Sequence, residues 1–405
     1  MTDTYLNAKT DTNRPQLRRW YTLQDRRLED LQQVLQDRTR AEDCPWATNI
    51  TQEVPVYDCA VLRQKLLESV SPQADRSALM AEWAWVWQDG PGILVLKSAY
   101  ADLSVVDGAT TQFQAMIEAE RAGGSGGDHF AKPGANDRVW NALEKLCLRS
   151  PEVFARYYAN DLLAIAFEAW LGPGYQVASQ VNCVNPGGEA QVAHRDYHLG
   201  FCTPEQAVRY PAHVHAVSPL LTLQGAVAHV DMPLESGPTL YLPHSQKYGP
   251  GYMVSGQPEF QAYFDAHHVQ LPLSKGDAVF FNPALIHAAG HNRSSQIRRM
   301  ANLLQVSSAF GRTMESVDRL RMSLALYPHF KALGQQEAWS PQDTACALAA
   351  CAEGYAFPTN LDRDPTLGGL APESQQALMQ RALNQEWTEE CFGVALRAQA
   401  EKKLT

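Results

Sequence analysis

Between Gln176 and Phe310 short apolar runs are cut at intervals by turn-forming groups: Pro186-Gly187-Gly188, Ser236-Gly237-Pro238, Gly249-Pro250-Gly251 and Lys275-Gly276-Asp277. Proline removes a backbone donor and glycine adopts turn conformations at little cost, so this punctuation divides the segment into many short strands. Short strands of that kind predict a double-sheet jelly roll, an architecture whose mouth can host a metal. Helical patterns flank it on both sides. The expected fold class is therefore α+β: a double-stranded β-helix (jelly roll, cupin-like) core over residues 91–311. An N-terminal helical extension (1–90) and a C-terminal helical extension (312–405) would complete the chain.

The flanking patterns are specific enough to place. Leu17, Tyr21, Leu28, Leu31 and Leu35 recur at helical spacing among charges and predict a helix from Pro15 to about Asp43. Further helices are expected over Cys59–Val70, Ser77–Trp87, Val105–Ala122, Asp137–Arg149 and Pro151–Leu171, with a buried strand at Ile93–Leu96. Beyond the core, Met314–Leu326, Pro341–Ala352 and Pro372–Leu383 read as helices. The Gly123–Gly127 run lacks the Gly-Lys-Ser/Thr ending of a phosphate loop. It reads as a connector or as part of a lid.

Hydrophobic residues make up 45% of the 405, enough for a sizeable core, and no apolar run is long enough to span a bilayer. A net charge of −10 without a basic stripe argues against a nucleic-acid surface and leaves a small molecule as the expected partner. Met1 to Arg14 are polar and lack the apolar stretch of a secretory signal, so a cytoplasmic location is expected. The eight cysteines show no CxxC or other metal spacing and read as free thiols. The flanking helices would either pack on one sheet or pair two subunits, so a homo-oligomer stays open.

The chemistry is concentrated in a few residues. His194-Arg195-Asp196 puts an imidazole and a carboxylate two positions apart, on one side of an extended segment. A second imidazole, His287, returns from a later strand. Two histidines and one carboxylate leave coordination positions open, as suits ferrous iron that must also hold a co-substrate and dioxygen. A second triplet, His229-Val230-Asp231, closes an apolar run and reads as a hydrogen-bonded strand end instead. Arg298 follows His287 by eleven residues, enough to leave one strand and return beside it, where a guanidinium can fork onto a carboxylate.

These residues carry a resemblance to the phytanoyl-CoA dioxygenase family of iron(II) and 2-oxoglutarate-dependent oxygenases. The resembling stretch runs from about Pro91 to Gly311. It includes the His-x-Asp triplet, the loop from Ser236 to Ser245, the Gly276-Asp277 turn, and the run His287, Asn292, Ser294, Arg298. The resemblance implies that His194, Asp196 and His287 hold Fe(II) and that Arg298 binds the distal carboxylate of 2-oxoglutarate, with O2 taking the open position. Arg299 is the rival for that role, since neighbours on a strand face opposite ways; spacing favours Arg298. An acid at position 196 points to hydroxylation rather than halogenation, with release of succinate and CO2.

The sequence departs from the family's pattern where His244 and Gln246 stand in place of Gly and His, at Ala289, and at Gln224 in place of an aromatic residue. Asn182 and Gln224 are candidate co-substrate contacts, although Asn182 also reads as a residue that merely precedes the turn at Asn185. Tyr197 and His198 are candidate walls of a substrate cavity, or packing at the barrel rim. Two alternatives remain: a jelly-roll metal enzyme that does not use an oxoacid, such as an isomerase, and a non-catalytic binding protein.

Overall fold

The computed structural model describes residues 19–123, 134–366 and 368–404. Its strands are β1 (Asn49–Thr51), β2 (Val54–Asp58), β3 (Ile93–Lys97), β4 (Asn136–Val139), β5 (Gln176–Val184) and β6 (Thr222–Ala228). After them come β7 (Leu240–Tyr241), β8 (Val269–Gln270), β9 (Ala278–Phe281), β10 (His287–Ala288) and β11 (Arg299–Ser307). They form an eight-stranded sheet in the order β1-β2-β3-β9-β6-β11-β5-β4 and a three-stranded sheet in the order β10-β7-β8. All pairings are antiparallel except that of β2 with β3.

The large sheet separates two environments by simple alternation. On β11, Met300, Leu304 and Val306 join the main hydrophobic core, whereas Arg299, Ala301, Leu303 and Gln305 line a cavity. On β5, Val177, Val181 and Cys183 face the core while Gln180 and Asn182 face the cavity; on β6, Leu223 and Val227 oppose Gln224, Ala226 and Ala228. Gly225 sits in register with Phe280, whose ring would lie 2.3 Å from any Cβ added there, so this close approach requires glycine.

The core side of the sheet is covered by helices from both ends of the chain. Trp83 and Trp87 from Pro72–Gln88, Phe154 from Pro151–Tyr158 and Phe330 from Arg319–Leu333 belong to one buried cluster with the sheet residues. At roughly 1.5–3 kcal/mol per fully buried large apolar side chain, these contacts dominate the stabilisation. The flanking segments and the sheet thus share one core.

Several local expectations change. The segment expected as one helix from Pro15 to Asp43 contains, among its described residues, the helix Leu28–Val34; Pro15 to Arg18 lie outside them. Beyond it, Glu53 takes up the backbone N–H and the hydroxyl of Thr39 and holds the chain extended. Residues 1–90 are not purely helical either, because β1 and β2 enter the large sheet. Asn136–Val139 is an edge strand against β5, and its helix starts only at Ala142. Pro151–Leu171 is two helices: Asn160 caps the second by accepting from Leu163 N–H at 3.1 Å, and an N-cap residue starts a new helix instead of continuing an old one. Of the glycine run, Gly124–Gly127 lies outside the described residues.

The eight cysteines are free thiols. Among the described residues, no helix is long and apolar enough to cross a membrane.

Candidate metal centre

His194 and His287 face each other across an antiparallel bridge, each backbone N–H donating to the other's carbonyl at 3.0 Å. Their rings come within 4.6 Å, centre to centre. Two positions on from His194 the alternation returns Asp196 to the same side, while Arg195 points the opposite way. Its buried guanidinium donates to Ser245 O (2.5 Å) and Tyr248 O (2.9 Å) and lies 5.3 Å from the centre of the Tyr252 ring. Arg195 therefore fastens the ligand segment to the Ser245–Tyr252 loop, a role the sequence reading did not assign.

Both histidines are held in one tautomer. Nδ1 of His194 donates to Val192 O at 2.8 Å, and Nδ1 of His287 donates to Leu285 O at 2.9 Å. A carbonyl can only accept, so each Nε2 keeps its lone pair. Those Nε2 atoms lie 3.5 and 3.4 Å from the two oxygens of Asp196, and donor atoms from the three residues fall within 4.8 Å of one another. Burial by itself would raise the Asp196 pKa. His287, His194 and the Gln224 amide outweigh it and hold the carboxyl well below the usual range. Burial, followed by the neighbouring His287, lowers His194 and keeps it neutral. Two imidazoles and a carboxylate converging from three positions form a donor set that fits a divalent metal and leaves one side of it open.

The three donors open into a cavity of about 600 Å³. Its walls include the apolar cluster of Val95, Tyr241, Leu271, Val279 and Phe281, together with Trp140, Gln180, Tyr197 and Met314. Arg299 lines it as well, only 8% exposed, its Nη1 donating to Ser236 O (3.2 Å) and Gly290 O (3.1 Å). Burial lowers its pKa to about 10, so it stays cationic at neutral pH. The carbonyls that hold it come from two loops in close contact: a Cβ on Gly237 would lie 2.3 Å from His291 O, and one on Gly290 would lie 2.5 Å from Pro238 O.

The expectation for Arg298 is corrected by this geometry. Its side chain, just before β11, is 48% exposed and does not line the cavity, donating to Asn185 Oδ1 (3.1 Å) and to Asp137 Oδ2 (3.4 Å), which it shares with Arg121. Strand parity admits one inward arginine, and it is Arg299. Of the other candidates, Asn182, Tyr197 and Gln224 line the cavity. Gln224 Nε2 donates to Asp196 Oδ2 at 2.5 Å, so its contact is with the carboxylate of the triad. Tyr197 is held at a φ of 64° and is buried. His198 is not a cavity wall; its Nδ1 lies 3.3 Å from Ser218 Oγ. His229 is buried between Thr110 Oγ1 (2.8 Å) and Tyr157 OH (2.9 Å), and Asp231 accepts from Lys275 N–H, so the second triplet is a strand end. His244 and Gln246 serve the fold: His244 Nε2 meets Thr39 Oγ1 at 3.3 Å, and Gln246 donates to Gly90 O at 2.9 Å.

Arg138, Trp140, Gln180, Gln305 and Met314 were missed as cavity residues. Gln180 and Asn182, two apart on a strand, carried a usable signal. Trp140 and Met314 carried none, because they reach the cavity from outside the strands that hold the ligands.

Fold and site together define a mononuclear non-haem metal enzyme with two histidines and one carboxylate. The family model for phytanoyl-CoA dioxygenase (PhyH) matches residues 88–300, more than half of the chain, and the protein belongs to that family. Iron(II), 2-oxoglutarate and O2 are the cofactor and co-substrates of the family, and the donor set described above fits them. Among solved structures, the chain is similar to the non-heme alpha ketoglutarate dependent epimerase SnoN from nogalamycin biosynthesis, at 20% identity and a TM-score of 0.38. That match covers 58% of this chain and 83% of the other. It is also similar to the carbocyclase SnoK from the same biosynthesis (18%, TM-score 0.41, covering 56% and 83%). A third similar structure is AviO1 from Streptomyces viridochromogenes Tue57 (17%, TM-score 0.41, covering 59% and 97%). No curated protein matches the sequence.

Proposed function

We propose that this protein is an Fe(II)/2-oxoglutarate-dependent oxygenase, built on a jelly-roll core, that hydroxylates a small organic substrate and releases succinate and CO2. The observation that carries the reading is the shared cavity: three metal donors, both imidazoles oriented through Nδ1 by backbone carbonyls, and a buried arginine in the same space. His194, Asp196 and His287 would hold the iron. Arg299, held by two backbone carbonyls, would take the distal carboxylate of 2-oxoglutarate.

The metal, when bound with the oxoacid and O2, supplies the oxidising chemistry: decarboxylation to succinate coupled to insertion of one oxygen atom into a substrate C–H bond. The chain's own residues bind, orient and shield. Gln224 donates to Oδ2 of Asp196 and fixes the orientation of that carboxylate beside the two imidazoles. Tyr241, Phe281, Val279 and Leu271 form an apolar wall that excludes water around the oxoacid. Trp140, Tyr197, Gln180 and Met314 face the remaining space, where the substrate would sit.

An isomerase-type metal enzyme would need the three donors but no buried cation in the cavity, and Arg299 favours the oxoacid reading. Anaerobic addition of Fe(II) and 2-oxoglutarate is expected to give a weak visible charge-transfer band, and a compound screen for stimulated succinate formation then identifies substrates. Folded protein that binds Fe(II) but never develops the band would sink the proposal.

A further inference from the structure

Gln224 is 6% exposed, stands beside the metal donors, and has one amide orientation open to it. Its Nε2 donates to Asp196 Oδ2, and a metal-ligating carboxylate can only accept, so a flipped amide would set oxygen against oxygen. Oε1 is therefore the amide atom left over; it is buried in a cavity-lining residue and has no hydrogen-bond partner among the described residues. Gln305, its register partner on β11, does not answer it. Gln305 and Gln180 use their amides on each other, at 3.3 and 3.4 Å. Two more buried polar atoms of cavity-lining residues lack partners: Asn182 Oδ1 and the hydroxyl of Tyr197, a residue only 4% exposed.

Buried acceptors are normally matched, and leaving one unmatched is costly. 2-Oxoglutarate offers carboxylates and a ketone, all acceptors, so it cannot supply the missing donor at Gln224. We infer that Gln224 is a specificity-determining residue: its Oε1 receives a hydrogen bond from a substrate hydroxyl next to the metal, with Asn182 and Tyr197 meeting further hydroxyls. The substrate class is thus a compound bearing two or more hydroxyl groups, not a hydrocarbon or acyl chain. This inference rests on the oxygenase reading, and it adds what that reading leaves open.

The test uses matched probes that differ only in donors: trans-cyclohexane-1,2-diol against 1,2-dimethoxycyclohexane, and methyl glucopyranoside against its tetra-O-methyl ether. Each is titrated anaerobically into the full-length protein loaded with Fe(II) and 2-oxoglutarate, reading the shift of the charge-transfer band. The hydroxylated member of a pair is expected to half-saturate at a concentration about tenfold lower than its ether. Gln224→Met, assayed at saturating metal, is expected to bring that ratio close to one. Asn182→Ala, on a different strand, is expected to lower it about threefold, giving a second readout if the first variant folds poorly. Co(II) titration checks separately that the metal still binds. Equal response to both members of each pair, no response to any hydroxylated probe, or an unchanged ratio in Gln224→Met would each overturn the inference. Absence of the band before any probe is added counts against the oxygenase reading instead.

Discussion

The chain carries two His-x-Asp triplets, and the fold treats them in opposite ways. His194 and Asp196 sit on an extended segment opposite His287, with both Nε2 lone pairs kept free by carbonyls behind the rings. His229 closes β6 with both ring nitrogens already engaged: the Thr110 hydroxyl donates to Val106 O and so accepts from Nδ1–H, while Tyr157 OH donates to Nε2. Residue type and spacing are identical in the two triplets. What separates them is the partner set of the second ring nitrogen, which decides between a ligand and a piece of core.

Breaking the first triplet gives the largest expected effect. Asp196→Ala removes the charged donor and should abolish stoichiometric Fe(II) binding and succinate formation, whereas Asp231→Ala should leave both intact; equilibrium dialysis with Fe(II) compares them. The next effect tests the two adjacent arginines. Arg299→Ala should weaken 2-oxoglutarate binding about a hundredfold, on the order of 3 kcal/mol for a buried charged partner. Arg298→Ala should change it less than about twofold, because its side chain is directed to Asn185 and Asp137 and does not line the cavity. Isothermal titration of the oxoacid into Fe(II)-loaded protein reads both.

Smaller effects concern stability. His229→Leu strands the Thr110 and Tyr157 hydroxyls and should cost about 2–3 kcal/mol in urea unfolding without altering metal stoichiometry. The same histidine sets a pH dependence. Burial, then Lys275, pushes its pKa down to about 3, below the ordinary value of 6.5. Between those values the unfolded chain binds a proton that the folded one refuses, so this contribution to stability is complete above pH 6.5 and is lost as pH falls toward 3. His229→Leu should therefore flatten the slope of unfolding free energy against pH by up to one proton in that window. A variant with the parent's slope would show that the acid sensitivity comes from elsewhere.

The metal donors were legible because alternation puts His194 and Asp196 on one side whatever the surroundings, and a distant His287 has few other reasons to follow the Gly276-Asp277 turn. Arg299 was not legible. Counting from His287 favours Arg298, but the inward face depends on the phase with which β11 leaves the Gly290–Ile297 loop, and one residue reverses every side chain. The broad division into a strand-rich centre and helical flanks could be read from periodicity. The entry of β1 and β2 into the large sheet could not, since pairing partners are set by tertiary contact. The break at Ala159-Asn160 was readable in principle, because Asn followed by Asp before an apolar run is a helix start. Gln224 stood out as a departure from pattern, yet its bond to Asp196 depends on distances no sequence carries.

The two carbonyls that grip Arg299 have a consequence for which oxoacid the protein can use. Because main chain, not a side chain, aims the guanidinium, its position relative to the metal donors is set by the Ser236 and Gly290 carbonyls. With Arg299 in its proposed role, the scaffold would act as a ruler for a five-carbon diacid. Oxaloacetate would fall short of one end and 2-oxoadipate would overrun it, and swapping neighbouring side chains would not recalibrate the gauge.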